Sequence, residues 1–298
     1  MKQQAFGKTD MQVSSLGFGG AEIGFQHTPL PEVEQLLGTA LDAGLNVIDT
    51  AACYGISEES IGKTVSHRRK DYYLFTKCGH DTGFDLPNWS PDLLVKSIEQ
   101  SLVRLKTDHV DVVHLHGCSR DILENGGVIE VLEKAKQAGK TRYIGYSGDR
   151  EDALRAVELN VFDSLEISVN IADQEAIEKV IPKAVEQGMG VIAKRPIANA
   201  AWLSESLPTN NYIQPYWHRL QQLDYDFLHG GIRDAVSTAL RFTLAVSGVS
   251  TAIVGTAKPN RYKENVSFLE NGPLDEEAFK VVRKRWSDVA QADWVGQG

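Results

Sequence analysis

Val110-Asp111-Val112-Val113-His114-Leu115-His116 is a short β-branched run ending in polar residues, and Thr141-Arg142-Tyr143-Ile144-Gly145-Tyr146-Ser147 is another. Between them Gly127–Ala138 has the apolar spacing of an amphipathic helix, followed by Gly139 at a C-cap position. Two strands joined by a helix cannot form a hairpin; they lie parallel, with the helix covering one face. The same unit recurs in both directions along the chain. Further strands are expected at Leu45–Asp49, Tyr72–Lys77, Ser164–Asn170, Gly190–Arg195 and Thr251–Gly255. Helices are expected at Leu30–Ala43, Pro91–Leu105, Glu151–Glu158, Gln174–Gln187 and Asp234–Ala245, with Gly44 and Gly188 as further C-caps. An early strand near Ser14–Phe18 brings the count to eight. Eight units in 298 residues favour a closed (β/α)8 barrel of the TIM type, read as one domain over 1–298. Phe6–Phe18 reads as an N-terminal β-hairpin plugging one barrel end and then entering the first strand. Ala200–Gly231 is aromatic-rich and shows no clear period, as functional loops often do.

Composition narrows the class. Hydrophobic residues make up 42% and charged residues 24% of the chain, ordinary values for a globular protein. The net charge of −9 argues against non-specific nucleic-acid binding, and no apolar run is long enough to span a bilayer. Met1–Gly7 lacks the apolar core of a signal peptide, so a cytoplasmic monomer acting on a small molecule is expected. Three cysteines do not make a disulfide framework.

In a parallel barrel the chemistry gathers at the C-terminal strand ends and in the loops after them. Alternation places Val47 with Asp49, Phe75 with Lys77, and Val112 with His114 and His116 on the inner face. An acid, a lysine and a histidine thus converge on one mouth, with Tyr54 five residues beyond the acid. Buried charges need partners, so Asp49 and Lys77 should pair. The set suits carbonyl reduction, in which hydride arriving at carbon leaves charge on oxygen that a proton donor must quench. Lys77 is expected to lower the pKa of Tyr54, and His116 to orient the carbonyl oxygen as a neutral donor. The substrate pocket would be walled by Ile23, Phe25, Trp89 and the aromatics of Ala200–Gly231.

The runs Asp49-Thr50-Ala51-x-x-Tyr54-Gly55, Glu58-Glu59-x-x-Gly62-Lys63, Thr76-Lys77, Val110-Asp111-x-x-x-Leu115-His116, Ile144-Gly145-x-Ser147 and Gly255-Thr256-x-x-Pro259-x-Arg261-x-x-Glu264-Asn265 resemble aldo-keto reductase motifs. The resemblance implies a catalytic set of Asp49, Tyr54, Lys77 and His116. It also implies an NADP(H) cofactor over the barrel mouth, touching Gly19, Gly20, Ser147, Thr256, Arg261, Glu264 and Asn265, with Arg261 at the 2′-phosphate.

The nicotinamide end departs from the pattern. Gly148 stands where the family has Asn, Glu166 where it has Gln, and Lys194 (followed by Arg195-Pro196) where an aromatic commonly stacks. Glu166 and Lys194 are expected to pair with each other beside the cofactor ring, with Arg195 next to them. Gly255 replaces a lysine found in many NADP(H)-specific relatives, and Lys258 could reach in its place. NAD(H) therefore stays open, and with it an NAD-dependent sugar or secondary-alcohol dehydrogenase.

A cofactor-binding regulatory subunit on the same fold sits badly with all four catalytic residues. His114-x-His116 could ligate a metal, but Lys77 is poorly placed beside a divalent ion, so no metal is expected and His114 reads as a hydrogen-bonded core residue. Cys53, Cys78 and Cys118 read as small buried hydrophobes, the alternative being a thiol acidified by Lys77.

Overall fold

The computed structural model describes residues 1–297. Two short antiparallel strands, β1 (Gln3–Ala5) and β2 (Gln12–Ser14), form a hairpin ahead of the barrel. Eight parallel strands then close on themselves: β3 (Leu16–Gly19), β4 (Val47–Asp49), β5 (Tyr73–Cys78), β6 (Val110–His116), β7 (Thr141–Ser147), β8 (Ser164–Ser168), β9 (Gly190–Lys194) and β10 (Val249–Gly255). They run round the barrel in chain order, and β10 pairs with β3 to close it. The (β/α)8 barrel expected from the strand–helix alternation is the observed fold.

Side-chain alternation sorts the strand residues into two cores. Val47, Phe75, Val112, Ile192 and Ile253 point inward and meet Phe6, Met11 and Val13 of the hairpin, which closes the lower end. Phe6 stacks on Phe75 with ring centroids 5.6 Å apart. A Cβ on Gly190 would lie 2.5 Å from the Phe6 ring, so the plug seats only because that residue has no side chain. Outward residues such as Ile48, Leu74, Val113, Leu115 and Val191 pack beneath the helices. The hairpin begins at Gln3, earlier than the Phe6 start expected, because the short β1 precedes the turn.

The helices follow local chemistry. Pro91–Leu105 starts with Pro91 at a position where its missing N–H costs nothing, and Ser90 Oγ accepts from Leu93 N. Its buried face of Leu94, Ile98, Ser101 and Leu105 follows the helical period. Gly44, Gly139 and Gly188 have φ of +88°, +75° and +71°, the left-handed conformation expected just past helix ends. The helix expected over Gln174–Gln187 is instead two, Glu175–Lys179 and Ile181–Glu186. Pro182 cannot donate to a continuous helix and disfavours helical backbone before it, so the chain kinks at Val180. Ala200–Gly231 is not irregular throughout. It holds the helix Gln214–Leu223, whose buried face is Tyr216, Arg219, Leu220 and Leu223.

Candidate active site

Strand register assembles the mouth. Gly19 pairs with Asp49, Lys77 with His114, and His116 with Ser147, which pairs in turn with Glu166. Lys77 is the hub. Its buried ammonium pairs with Asp49, donates to Thr50 O at 3.0 Å, and lies 3.3 Å from Glu166 Oε2. The same ammonium sits 5.2 Å from the centroid of the Tyr54 ring. Tyr54 meets the edge of His116 at 5.6 Å between centroids, and Phe25 packs edge-on against the Tyr54 ring, also at 5.6 Å. Tyr54, Lys77, Asp49 and His116 are therefore gathered as expected, with Glu166 added to them.

The electrostatics follow from burial. Asp49 is pushed well above the usual carboxylate range by burial and by Glu166, against the pull of Lys77. Glu166 resists burial because Lys77 and its other basic neighbours hold it down to about 2. Burial works against the charge on Lys77, but the two carboxylates overcome it and keep the ammonium protonated. Tyr54 differs from expectation. Burial raises its phenol well above the ordinary value, and Lys77 only offsets part of that rise. His116 is held neutral by burial and by the charge of Lys77. His114 is a core residue hydrogen-bonded to Ser164 Oγ at 2.9 Å, with its pKa lowered by burial to about 4.

The expected Glu166–Lys194 pair is not formed. On β8 and β9, Ile192 stands opposite Glu166 and Ser168 opposite Lys194, so the lysine lies two residues further up the barrel. There Asp149, just past β7, takes it at 2.9 Å. Arg195 is drawn to the same carboxylate at 3.5 Å and also donates to Gln297 O at 2.6 Å, while its guanidinium covers the Tyr212 ring. Both cations are thus committed to protein groups. Buried Asp173 adds to this second cluster, with Oδ2 accepting from Tyr216 at 2.9 Å and from Gln297 N at 3.2 Å. Asp149 was findable by the strand-end rule, since it lies two residues past Ser147. The docking of Val295–Gln297 had no sequence signal.

At the opposite side of the mouth Gly19 pairs with Gly255. Thr256 Oγ1 accepts from Lys258 N at 3.1 Å, and the helix Arg261–Leu269 begins shortly after. Lys258 and Arg261 are exposed, Asn265 is buried, and Glu264 pairs with Arg261 at 3.0 Å and with Arg233 at 2.5 Å. Gly20 N donates to Asp49 O at 2.8 Å, tying the end of β3 to β4. Glu22 was missed. Its carboxylate lies where a Cβ on Gly255 would be, 1.8 Å away, and burial raises its pKa.

Of the expected pocket walls, Phe25 and Trp89 stand at the mouth, Trp89 edge-on to His80 at 5.2 Å. Ile23 is instead fully buried in the main core. Cys78 and Cys118 are buried, and burial pushes both thiols up, Cys118 to about 12, the opposite direction from a thiol acidified by Lys77. Cys53 is likewise raised by burial, and its Sγ lies 3.4 Å from His116 Nδ1. Asp49, His114 and Glu166 each bring an atom within 4.8 Å of the others, a spacing that could hold a metal ion. Lys77 already serves both carboxylates as their cation.

The model of the Aldo/keto reductase family matches residues 15–286. The chain belongs to the aldo/keto reductase family. It is an oxidoreductase, 29% identical to L-galactose dehydrogenase of Arabidopsis thaliana over 98% of this chain and 96% of that one. D-threo-aldose 1-dehydrogenase of a Pseudomonas species is 24% identical over 95% and 94%. The holo form of an aldo-keto reductase from Bacillus halodurans superimposes with a TM-score of 0.83 at 29% identity, covering 96% of each chain. Among the described residues of this family member, no helix is long and apolar enough to cross a membrane.

Proposed function

We propose that this aldo/keto reductase is a cytoplasmic enzyme that reduces the carbonyl of an aldehyde or ketone with NADP(H), Tyr54 delivering the proton. One observation carries the reading: the Lys77 ammonium lies 5.2 Å from the Tyr54 ring while Tyr54 and His116 meet at the barrel mouth.

The residues around the mouth fit a nicotinamide dinucleotide. Ser147 Oγ is buried without a hydrogen-bond partner, which a carboxamide would supply. The start of the helix Arg261–Leu269 lacks a side-chain cap, and exposed Lys258 and Arg261 beside it suit phosphate. When bound, the reduced nicotinamide supplies a hydride, a proton with two electrons. As the carbonyl carbon accepts it, the C=O π bond breaks and the electron pair moves to oxygen. Tyr54 O–H gives that oxygen its proton, leaving a phenolate beside Lys77 that is reprotonated from water. Cys53 Sγ lies 3.4 Å from His116 Nδ1; with the thiol as donor there, the imidazole proton sits on Nε2, free to bond the carbonyl oxygen. Asp49 and Glu166 hold Lys77 in place.

A second reading has support in the relatives. Two are named as sugar dehydrogenases, and Arg261 is partly satisfied by Glu264. The same groups run in reverse would oxidise an aldose with NAD.

Parallel fluorescence titrations with NADPH and NADH test the reading. Tighter NADPH binding that Arg261→Ala weakens roughly 10- to 100-fold, as for loss of a charge-assisted bond of about 1.5–3 kcal/mol, supports the reductase. Equal or tighter NADH binding moves the assignment to the dehydrogenase. No binding of either sinks both.

A further inference from the structure

Glu166 stands among the residues implied for cofactor contact, yet its carboxylate is turned to the proton-delivery machinery. It is buried, lies 3.3 Å from Lys77 Nζ, and shares that ammonium with Asp49. A single cation thus faces two carboxylates in one closed space. We propose that Glu166 is a positioning residue that keeps the proton on Tyr54, biasing this enzyme toward carbonyl reduction and against alcohol oxidation. The proposal rests on the reading of Tyr54 as proton donor.

Charge count sets the direction. With Asp49 alone, Lys77 would form a neutral pair, and its residual field would still favour a nearby phenolate. A second carboxylate cancels that help. Glu166 sets a second acid on the same ammonium, so less of the Lys77 field is left for a phenolate and forming tyrosinate beside the three groups costs more. The direction agrees with the raised pKa of Tyr54, to which Glu166 and Asp49 both contribute after burial. The other groups around Tyr54 do not reverse the sign. Cys53 on the same loop is a neutral thiol, and His116 and His114 on β6 are neutral imidazoles. Lys194 on β9 is turned to Asp149, and His80 after β5 binds His116 O at 2.9 Å.

The test is the pH dependence of kcat for reduction and for oxidation in the wild type, Glu166→Gln and Glu166→Asp. In Glu166→Gln the alkaline fall of reduction and the rise of oxidation should both move to lower pH by about one unit, with oxidation near neutrality gaining roughly tenfold. Glu166→Asp keeps the charge and should stay close to wild type. Superimposable profiles for Glu166→Gln and wild type would overturn the proposal. So would an unmoved profile with a raised KM for cofactor, which would mark Glu166 as a carboxamide contact. Ultraviolet difference titration of the cofactor-free proteins, each against its Tyr54→Phe counterpart, separates this failure from failure of the catalytic reading. Tyr54 should ionise at lower pH in Glu166→Gln whether or not the protein turns over, and equal midpoints would refute the role given to Glu166.

Discussion

The Glu166 carboxylate lies 3.3 Å from Lys77 Nζ, so one buried ammonium serves two acids, the second being Asp49. Removing the cation should be worse than removing the cluster. Lys77→Met leaves two carboxylates buried without a counter-ion, a loss of about 3–5 kcal/mol when one partner of a buried pair is deleted. The double variant Lys77→Met/Glu166→Gln should recover part of that stability in thermal denaturation without recovering turnover. A double variant no more stable than Lys77→Met would mean that Glu166 is not a true partner of Lys77.

Glu22 is an acid placed against the strand end from which the phosphate-binding segment would start. Its carboxylate rests on Gly255, one residue before Thr256. Glu22→Gln should tighten NADPH roughly fivefold, since one charge at close range in water is worth about 1 kcal/mol. In the wild type, affinity should rise as pH falls and protonates Glu22, whose pKa burial has raised. The variant should lose that pH dependence. Titrations at several pH values that superimpose for the two proteins would show that Glu22 does not meet the cofactor.

Asp173 supplies a stability term of definite sign. Burial, and then the charge of Asp149, push it up to about 7, although Arg219 and its hydrogen bonds favour ionisation. An acid whose folded pKa lies above its unfolded value of about 3.9 stabilises the fold fully below that value. That stabilisation is lost as pH rises through about 7. Asp173→Asn should therefore show a flatter plot of Tm against pH between these limits than the wild type. Parallel curves would place the titration elsewhere.

The barrel was legible because its signal is repeated. Val112, His114 and His116 alternate with Val113 and Leu115, and each strand end restates the same rule, so one misread element would not have hidden the closure. The convergence of Asp49, Lys77 and His116 followed from that alternation. Partner choice among charges did not follow. Glu166 and Lys194 lie on neighbouring strands, but a two-residue difference in height sends one to Lys77 and the other to Asp149. Such heights are set by barrel stagger, which no single strand records. The helix Gln214–Leu223 was hidden because Tyr216 and Arg219 stand on its buried face, where a hydrophobic pattern would place apolar residues. The arginine is tolerated there because its guanidinium donates to Ala172 O and Val295 O, acceptors far away in the chain. The sign of the Tyr54 shift was misjudged for a related reason. Lys77 was visible as a neighbour, whereas burial and the second carboxylate were not.

The role of Tyr54 as proton donor is open to one decisive comparison, the rate of NADPH oxidation against a panel of small aldehydes and aldoses in wild type and Tyr54→Phe. The wild type should turn over, and Tyr54→Phe should lose roughly 10²- to 10⁴-fold in kcat, the usual contribution of a general acid, with NADPH affinity unchanged. A Tyr54→Phe protein that reduces the same substrates at the wild-type rate would contradict it.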